Sequence, residues 1–278
     1  MGDLAFSTLS VIVPVYNEED NVAELHRRIV AALADLPLEW EILYVDDGSR
    51  DRSFDLLTGT ARDDRRVKAL RFIRNYGQTA AIAAGIHHAH GEVLVFLDAD
   101  LQNDPADIPA LLDKLAEGYD VVSGWRKERK DAFLNRKLPS MIANRLISEV
   151  TGCRLHDYGC TLKAYRREVL RGFTLYGEMH RFLPSYAFQN GARIAEMPVT
   201  HHPRTRGRSK YGIERTFKVM LDLMTVKFLS TYAHKPIYLF GLVGLTLMTL
   251  AVLVVAYLIA MKFYLGISLI QSPLLLMS

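Results

Sequence analysis

Asp98 and Asp100 are the pair of residues in this chain best placed to do chemistry. They end the stretch GEVLVFLDADLQNDP, residues 91–105, in which Val93 to Leu97 form an unbroken apolar run. Such a run reads as a strand buried on both faces of a parallel sheet. The carboxylates therefore appear where the strand leaves the sheet, the edge at which open α/β sheets bind ligands. In extended chain, residues two apart point the same way. Asp98 and Asp100 can then share a cation, with the amide oxygen of Gln102 close by. Hard oxygen ligands suit Mg²⁺ or Mn²⁺, with substrate phosphates completing the shell. The plainer alternative is a loop whose aspartates only cap the helix that follows. Asp104, just before Pro105, already fills that role, which leaves Asp98 and Asp100 spare.

The elements that must position this pair follow from the alternation of patterns. Leu9 to Tyr16 reads as a first strand. Asn17 reads as a helix N-cap, with Glu18, Glu19 and Asp20 in the first turn, and Val22, Leu25, Ile29, Leu33 and Leu36 fall at helical spacing. Ile42 to Val45 reads as a second strand ending in Asp46 and Asp47, with a helix starting at Asp51. Val67 to Ile73 reads as a third, followed by Arg74, Asn75 and an Ala-rich helix to about Ala89. Leu111, Leu112 and Leu115 mark the helix after the Asp98 strand, and Tyr119 to Ser123 a fifth strand ahead of Arg126. Strands alternating with helices imply a mainly parallel, doubly wound sheet with right-handed crossovers. Successive strand ends that all carry polar groups imply one site along one rim.

Basic residues gather later. Arg126, Lys127, Arg129, Lys130, Arg136 and Lys137 surround Phe133, Leu134, Leu138, Ile142 and Leu146, which suggests an amphipathic helix whose basic face lies on anionic lipid, grips a lipid phosphate or is simply solvated. HHPRTRGRSKYG, residues 201–212, carries Arg204, Arg206, Arg208 and Lys210 with two glycines and no acid, and reads as a phosphate clamp or as a disordered basic linker. Glu178, His180 and Arg181 open a further helix and are placed to touch the acceptor or the membrane interface. His87, His88 and His90 read as surface histidines.

The length of 278 residues allows one large domain or two small ones, and the net charge of +3 gives no reason to expect nucleic acid. Two cysteines, Cys153 and Cys160, fit no zinc or redox spacing and read as reduced packing residues. No signal peptide is expected at the N-terminus. Ile237 to Met261 runs without a charge, long enough to span a bilayer, and Phe263 to Met277 is a shorter apolar stretch, a partial or truncated second span. The expected topology is multi-pass or a hairpin. Arg215, Lys218, Lys227 and Lys235 precede the first span and only Lys262 follows it, which places the N-terminal domain in the cytoplasm. The expected division is a catalytic domain over 1–212, an interfacial helix over 213–235 and a transmembrane region over 236–278.

Taken together, VPVYNE (13–18), VDDGS (45–49) and DADLQ (98–102) resemble family 2 glycosyltransferases of the GT-A fold. Arg204-x-x-Gly207-x-Ser209-Lys210, followed by an interfacial helix and membrane spans, is similar to the polyprenyl-phosphate glycosyltransferases, the dolichol-phosphate mannose synthases and bactoprenol glucosyltransferases among them. The resemblance covers residues 9–235 in motif order. It implies that Pro14, Tyr16, Glu18 and Asp46 hold the nucleotide, with Asp47, Asn75 and Ala99 in the same nucleotide-sugar site. It implies further that Asp98, Asp100 and Gln102 place Mg²⁺ or Mn²⁺ on the diphosphate. Arg126 and Arg136 would meet phosphates, and Arg204 and Lys210 would close over the site. Gln-x-x-Arg-Trp is absent, which argues against polysaccharide synthesis.

The expected reaction is inverting transfer from a UDP- or GDP-sugar to a membrane polyprenyl phosphate, undecaprenyl or dolichyl. Such a phosphate has its second pKa near 6 and is largely dianionic at neutral pH, so it needs no base, only cations to offset repulsion. Self-association is left open. A haloacid-dehalogenase-type phosphatase also carries D-x-D after a strand, but Gln102 stands where a Thr or Val would be expected. A membrane-anchored nucleotide-sugar-binding subunit without turnover is the non-enzymatic alternative.

Overall fold

The computed structural model describes residues 6–127, 138–173, 175, 177, 179–203, 221, 224, 225, 228 and 235–265. The chain divides into two compact units, Met1–Val226 and Lys227–Ser278.

The first unit is built on seven strands: β1 (Thr8–Val15), β2 (Glu39–Asp46), β3 (Val67–Arg71), β4 (Val93–Phe96), β5 (Val121–Trp125), β6 (Lys163–Arg166) and β7 (Ile194–Pro198). They form one sheet in the order β3-β2-β1-β4-β6-β5-β7. β1 pairs in parallel with β2 and with β4, whereas β6 runs antiparallel to both β4 and β5. The sheet is thus mixed, six strands one way and β6 the other. After β3 the chain returns past β1 to form β4, so the strand order reverses between β1 and β4. That switch point leaves a crevice at the carboxyl ends of these strands, where Asp98 and Asp100 follow β4.

The strands are apolar on both sides because helices cover both faces. Along β1, Val11 and Val13 join one core cluster with Leu25, Ile29, Leu111 and Leu112, whereas Ile12 joins a second with Ile82, Phe96, Tyr165 and Leu183. The two-residue repeat of a strand makes that division. α1 (Val22–Leu33) buries Val22, Leu25, Ile29 and Leu33, the stripe its sequence spells out. α2 (Ser53–Asp63), α3 (Gln78–His88), α4 (Ile108–Ala116), α5 (Leu138–Thr151) and α6 (Leu183–Gln189) are its other α-helices among the described residues. A short 3₁₀ turn, Pro105–Asp107, precedes α4, and the Asp104 carboxylate caps it by accepting from Ala106 N at 3.0 Å. His87, His88 and His90 are exposed at and just past the end of α3. Cys153 and Cys160 are free and buried.

Two local expectations change, and two strands are unexpected. Asn17 is not an N-cap: it takes a positive φ of 52°, and α1 starts at Val22 behind Asn21. The cause is a longer-range bond, Arg50 N to Asn17 Oδ1 at 2.8 Å, which ties the end of β1 to the turn after β2. β5 begins and ends two residues later than its sequence suggests, because β7 pairs with it as far as Trp125↔Pro198. The late strands β6 and β7 carry no apolar run that announces them.

In the second unit, α7 (Ile237–Leu265) is one unbroken helix of 29 residues. Its segment Phe240–Tyr264 has a mean hydropathy of 2.6 and is long and apolar enough to cross a membrane, one such helix among the described residues. Lys262 lies inside this helix. The rest of the expected second span, like most of the expected interfacial helix, lies outside the described residues.

Candidate active site

The site begins where β1 and β2 end side by side. Asn17 N donates to Ser49 Oγ at 2.9 Å and Glu18 N to Ser53 Oγ at 2.8 Å, so the two strand ends are stitched into one wall. Gly48 has a φ of 70°, and a Cβ there would come within 2.4 Å of the Arg74 backbone, so no larger residue fits between the turns after β2 and β3. The cleft that results has a volume of about 510 Å³ and is lined by Tyr16, Ser49, Arg50, Arg71, Phe72 and Asn75, among others.

Asp46 is fully buried at the last position of β2. Its Oδ2 accepts from Ser49 N at 3.2 Å, with Arg71 Nε at 3.7 Å. Its Oδ1 is buried without a hydrogen-bond donor. An unsatisfied buried acceptor is costly and calls for a partner. Asp47 behaves differently. Both its oxygens are taken by backbone, from Tyr76 N at 2.7 Å and Gly77 N at 2.9 Å. Burial, and the Asp46 charge beside it, raise its pKa against the pull of those two bonds. Asp47 thus shapes the turn before α3. Glu18 accepts from Asn21 Nδ2 at 2.7 Å, at the start of α1. Pro14 lies on β1 opposite Val45, beyond the last β4 pair at Ile12↔Phe96, where its missing N–H costs no β4 bond.

Asp98 is gripped at both oxygens. Gln78 Nε2 from the start of α3 donates to Oδ1, and Thr161 Oγ1 from the loop before β6 donates to Oδ2, each at 2.6 Å. Its pKa is pushed up to about 6, by burial first and then by Asp100, against the Thr161 bond and the positive charges of Arg126 and Arg181. Leu101 takes a positive φ of 58°, and Asp100 Oδ1 accepts from Gln102 N at 3.2 Å, so the chain turns sharply after the carboxylates. Ala99 between them is buried in the core. Among the described residues no group of three or more His, Cys, Asp or Glu could hold a metal. The donor set here is of another kind: two carboxylates and an amide oxygen, all hard. A carboxylate offers about four lone-pair sites, so the bonds from Gln78 and Thr161 leave Asp98 able to ligate. The Asp100 charge beside Asp98 helps to raise the Asp98 pKa, and a divalent cation between the two carboxylates would relieve that repulsion.

The far wall is a buried ion pair. Arg126, just past β5, donates from Nε to Asp157 Oδ2 at 2.7 Å and from Nη2 to Oδ1 at 2.9 Å. The side chains are 13% and 4% exposed. Burial acts to lower the Arg126 pKa, but the Asp157 bonds outweigh it and the net shift is upward. Gly159 sits against the pair: a Cβ there would lie 3.0 Å from Arg126 Nη2 and 3.9 Å from Arg181 Nη1. His180 Nδ1 meets Thr79 Oγ1 at 2.6 Å, which brings the 3₁₀ turn Met179–Phe182 onto α3.

The segment after β7 is sewn to the loop of the two carboxylates. Asn103 and His201 form an isolated bridge, His202 N donates to Gln102 O at 2.8 Å, and His202 Nε2 meets Asp104 Oδ2 at 2.8 Å. Burial acts to raise the Asp104 pKa, yet the His202 bond carries it below its ordinary value. Arg136, Arg204 and Lys210 lie outside the described residues. Of the expected site residues, Tyr16, Asp46, Asn75, Asp98, Asp100, Gln102 and Arg126 are all at the carboxyl edge of the sheet. Sequence reasoning missed Gln78, Asp157 and Thr161, of which the D-x-x-x-T spacing of the last two was the available signal.

Residues 10–173 match the model of the family described as glycosyl transferase family 2. The chain is 46% identical over 274 residues to a dodecaprenyl-phosphate galacturonate synthase of Rhizobium johnstonii, covering 96% of this chain and 80% of that protein. It is 42% identical over 234 residues to an undecaprenyl-phosphate 4-deoxy-4-formamido-L-arabinose transferase of Edwardsiella ictaluri, covering 84% and 71%. In fold it is similar to glucosyl-3-phosphoglycerate synthase of Mycobacterium tuberculosis, solved with Mn²⁺, UDP and glucosyl-3-phosphoglycerate. That likeness has a TM-score of 0.62 at 18% identity and covers 81% of this chain and 80% of that one. The sheet is thus of GT-A type, and the chain belongs to glycosyltransferase family 2.

Proposed function

We propose that this glycosyltransferase moves a sugar from a UDP- or GDP-linked donor to a polyprenyl phosphate, with inversion at the anomeric carbon and with help from Mg²⁺ or Mn²⁺. The observation that carries the acceptor assignment is the similarity over 96% of the chain to a protein named for a polyprenyl-phosphate sugar. That stretch takes in nearly the whole of α7, which suits an anchor in the membrane where such a lipid resides. In this reading residues 1–212 are the catalytic domain, on the cytoplasmic side.

Each side chain then has a task. The Asp46 Oδ1 accepts a ring N–H of the base, and Tyr16 and Asn75 line the same cleft. Asp98, Asp100 and Gln102 would hold the divalent cation, which would supply charge stabilisation for the departing nucleoside diphosphate. Gln78 and Thr161 fix the Asp98 carboxylate in one orientation. Arg126 has two nitrogens committed to Asp157, so it presents Nη1 to a phosphate oxygen from a fixed direction. Arg136, Arg204 and Lys210 would add the cations that let a dianionic acceptor approach an anionic donor. The lipid phosphate, already ionised, attacks the anomeric carbon directly, and a single displacement inverts it.

The test is reconstitution of the full chain in vesicles containing undecaprenyl phosphate, offered a panel of UDP- and GDP-sugars that includes UDP-galacturonate. The expected result is a lipid-phosphate-linked sugar of inverted configuration. A water-soluble glycan that proves the better acceptor would refute the acceptor assignment. Donor binding without turnover would make the chain a binding subunit.

A further inference from the structure

Lys163 puts an ammonium where the interior of a sheet calls for an apolar group. It opens β6, opposite Phe96 on β4 and Ser123 on β5, and is 4% exposed. Burying an ammonium costs several kcal/mol unless its donors and charge are answered. Here the answer is two backbone carbonyls: Nζ donates to Tyr158 O at 3.2 Å and to Cys160 O. Burial draws the ammonium's pKa down, and the Cys160 and Asp157 side chains oppose that shift.

The loop that Lys163 grips is the one that organises the far half of the site. At one end Asp157 receives both Arg126 bonds, and at the other Thr161 holds Asp98. Between them lie Tyr158, Gly159 and Cys160, outside any helix or strand, so no ladder satisfies their carbonyls. Gly159 is needed there for clearance, and a glycine also loosens a loop. We propose that Lys163 is a positioning residue for the transfer reaction. Its ammonium draws the carbonyls of Tyr158 and Cys160 inward and sets the loop so that Asp157 aims Arg126 while Thr161 aims Asp98. The inference rests on the reading that Arg126 and Asp98 face the reacting groups.

The experiment compares Lys163→Met, which keeps length and loses charge, with Lys163→Arg, which keeps charge, in the full chain reconstituted with undecaprenyl phosphate. Misplacing reacting groups by about an ångström can cost up to about a hundredfold, so kcat should fall roughly tenfold to a hundredfold in Lys163→Met. The donor KM should change less than about threefold, because binding of the base is remote from the loop. Lys163→Arg should recover part of kcat. Since Lys163 acts through Thr161, adding Thr161→Val to Lys163→Met should lower kcat by less than the product of the two single losses. Hydrogen exchange should quicken over 157–162 and stay unchanged in β1 and β4.

Wild-type kcat in Lys163→Met would overturn the proposal. So would fully multiplicative losses with Thr161→Val, or faster exchange throughout the sheet, which would mark Lys163 as a support of the fold alone. If the wild-type protein turned over no nucleotide sugar with polyprenyl phosphate, the functional reading would fall, and exchange over 157–162 would still judge the loop.

Discussion

Asp46→Asn tests the proposal that recognition of the base depends on this carboxylate. The carboxylate uses Oδ2 for Ser49 N and presents Oδ1 as an unsatisfied acceptor in a buried place. An asparagine of the same shape has one oxygen and one NH₂. Whichever way it turns, the NH₂ meets an N–H, either that of Ser49 or that of the base, so one bond is lost. A hydrogen bond to a charged group is worth about 1.5–3 kcal/mol, which converts to roughly 10- to 150-fold in donor affinity. The base sits away from the anomeric carbon, so the loss should fall on ground state and transition state alike. At saturating donor, kcat should stay within about threefold of wild type while KM rises. Calorimetric titration with UDP and with GDP, followed by steady-state kinetics, reads both quantities and identifies the base. Unchanged affinity for both nucleotides would refute the assignment of Asp46, and a fall in kcat with KM preserved would mean that Asp46 acts on the reaction itself.

Asp100→Ala should abolish turnover, and chelation of divalent ions should do the same reversibly; full activity in excess EDTA would sink the metal reading. A melting scan checks it without turnover, since Mn²⁺ with nucleotide should raise the Tm of the wild type and not of Asp100→Ala. Gly159→Ala puts a methyl group 3.0 Å from Arg126 Nη2 and 3.5 Å from Asp157 Oδ1, so the pair must shift. Overpacking costs about 1–3 kcal/mol, and kcat should suffer while α1 and the sheet stay folded by circular dichroism; wild-type kcat would show that the pair tolerates displacement. His26, part-buried beside Tyr44 with ring nitrogen and hydroxyl 3.3 Å apart, has its pKa lowered chiefly by burial. The folded state then binds fewer protons than the unfolded one just below the ordinary histidine value of about 6.5. Its contribution to stability is therefore present above that pH and lost as the pH falls through it. The drop in Tm from pH 7.5 to 5.5 should be smaller in His26→Phe, and an equal drop would refute the assignment.

The half of the site built from β1, β2 and β4 was legible in the sequence because its residues are consecutive. Asp46 and Asp47 end one apolar run, Asp98 and Asp100 follow another, and parallel pairing sends both to one edge. The other half was illegible because its bonds join residues far apart in the chain. Thr161 reaches Asp98 across 63 positions and Asp157 reaches Arg126 across 31. The strand that brings them together, β6, is four residues, KAYR, with a cation at each end, and it runs against its neighbours. No hydrophobic period announces such an element, since its burial comes from β4 and β5 on either side and not from its own composition. The same distance hid the nature of Arg126. Counted along the sequence it is one of several cations awaiting phosphate; in the fold Asp157 balances its charge. A balanced guanidinium attracts a distant anion weakly, but its donors are fixed in direction, and direction is what a displacement at one carbon requires. In the proposed reading, the work of drawing a dianionic lipid phosphate toward the donor would therefore fall on a divalent cation and on cations other than Arg126, whereas the Arg126–Asp157 pair would act on the geometry of attack.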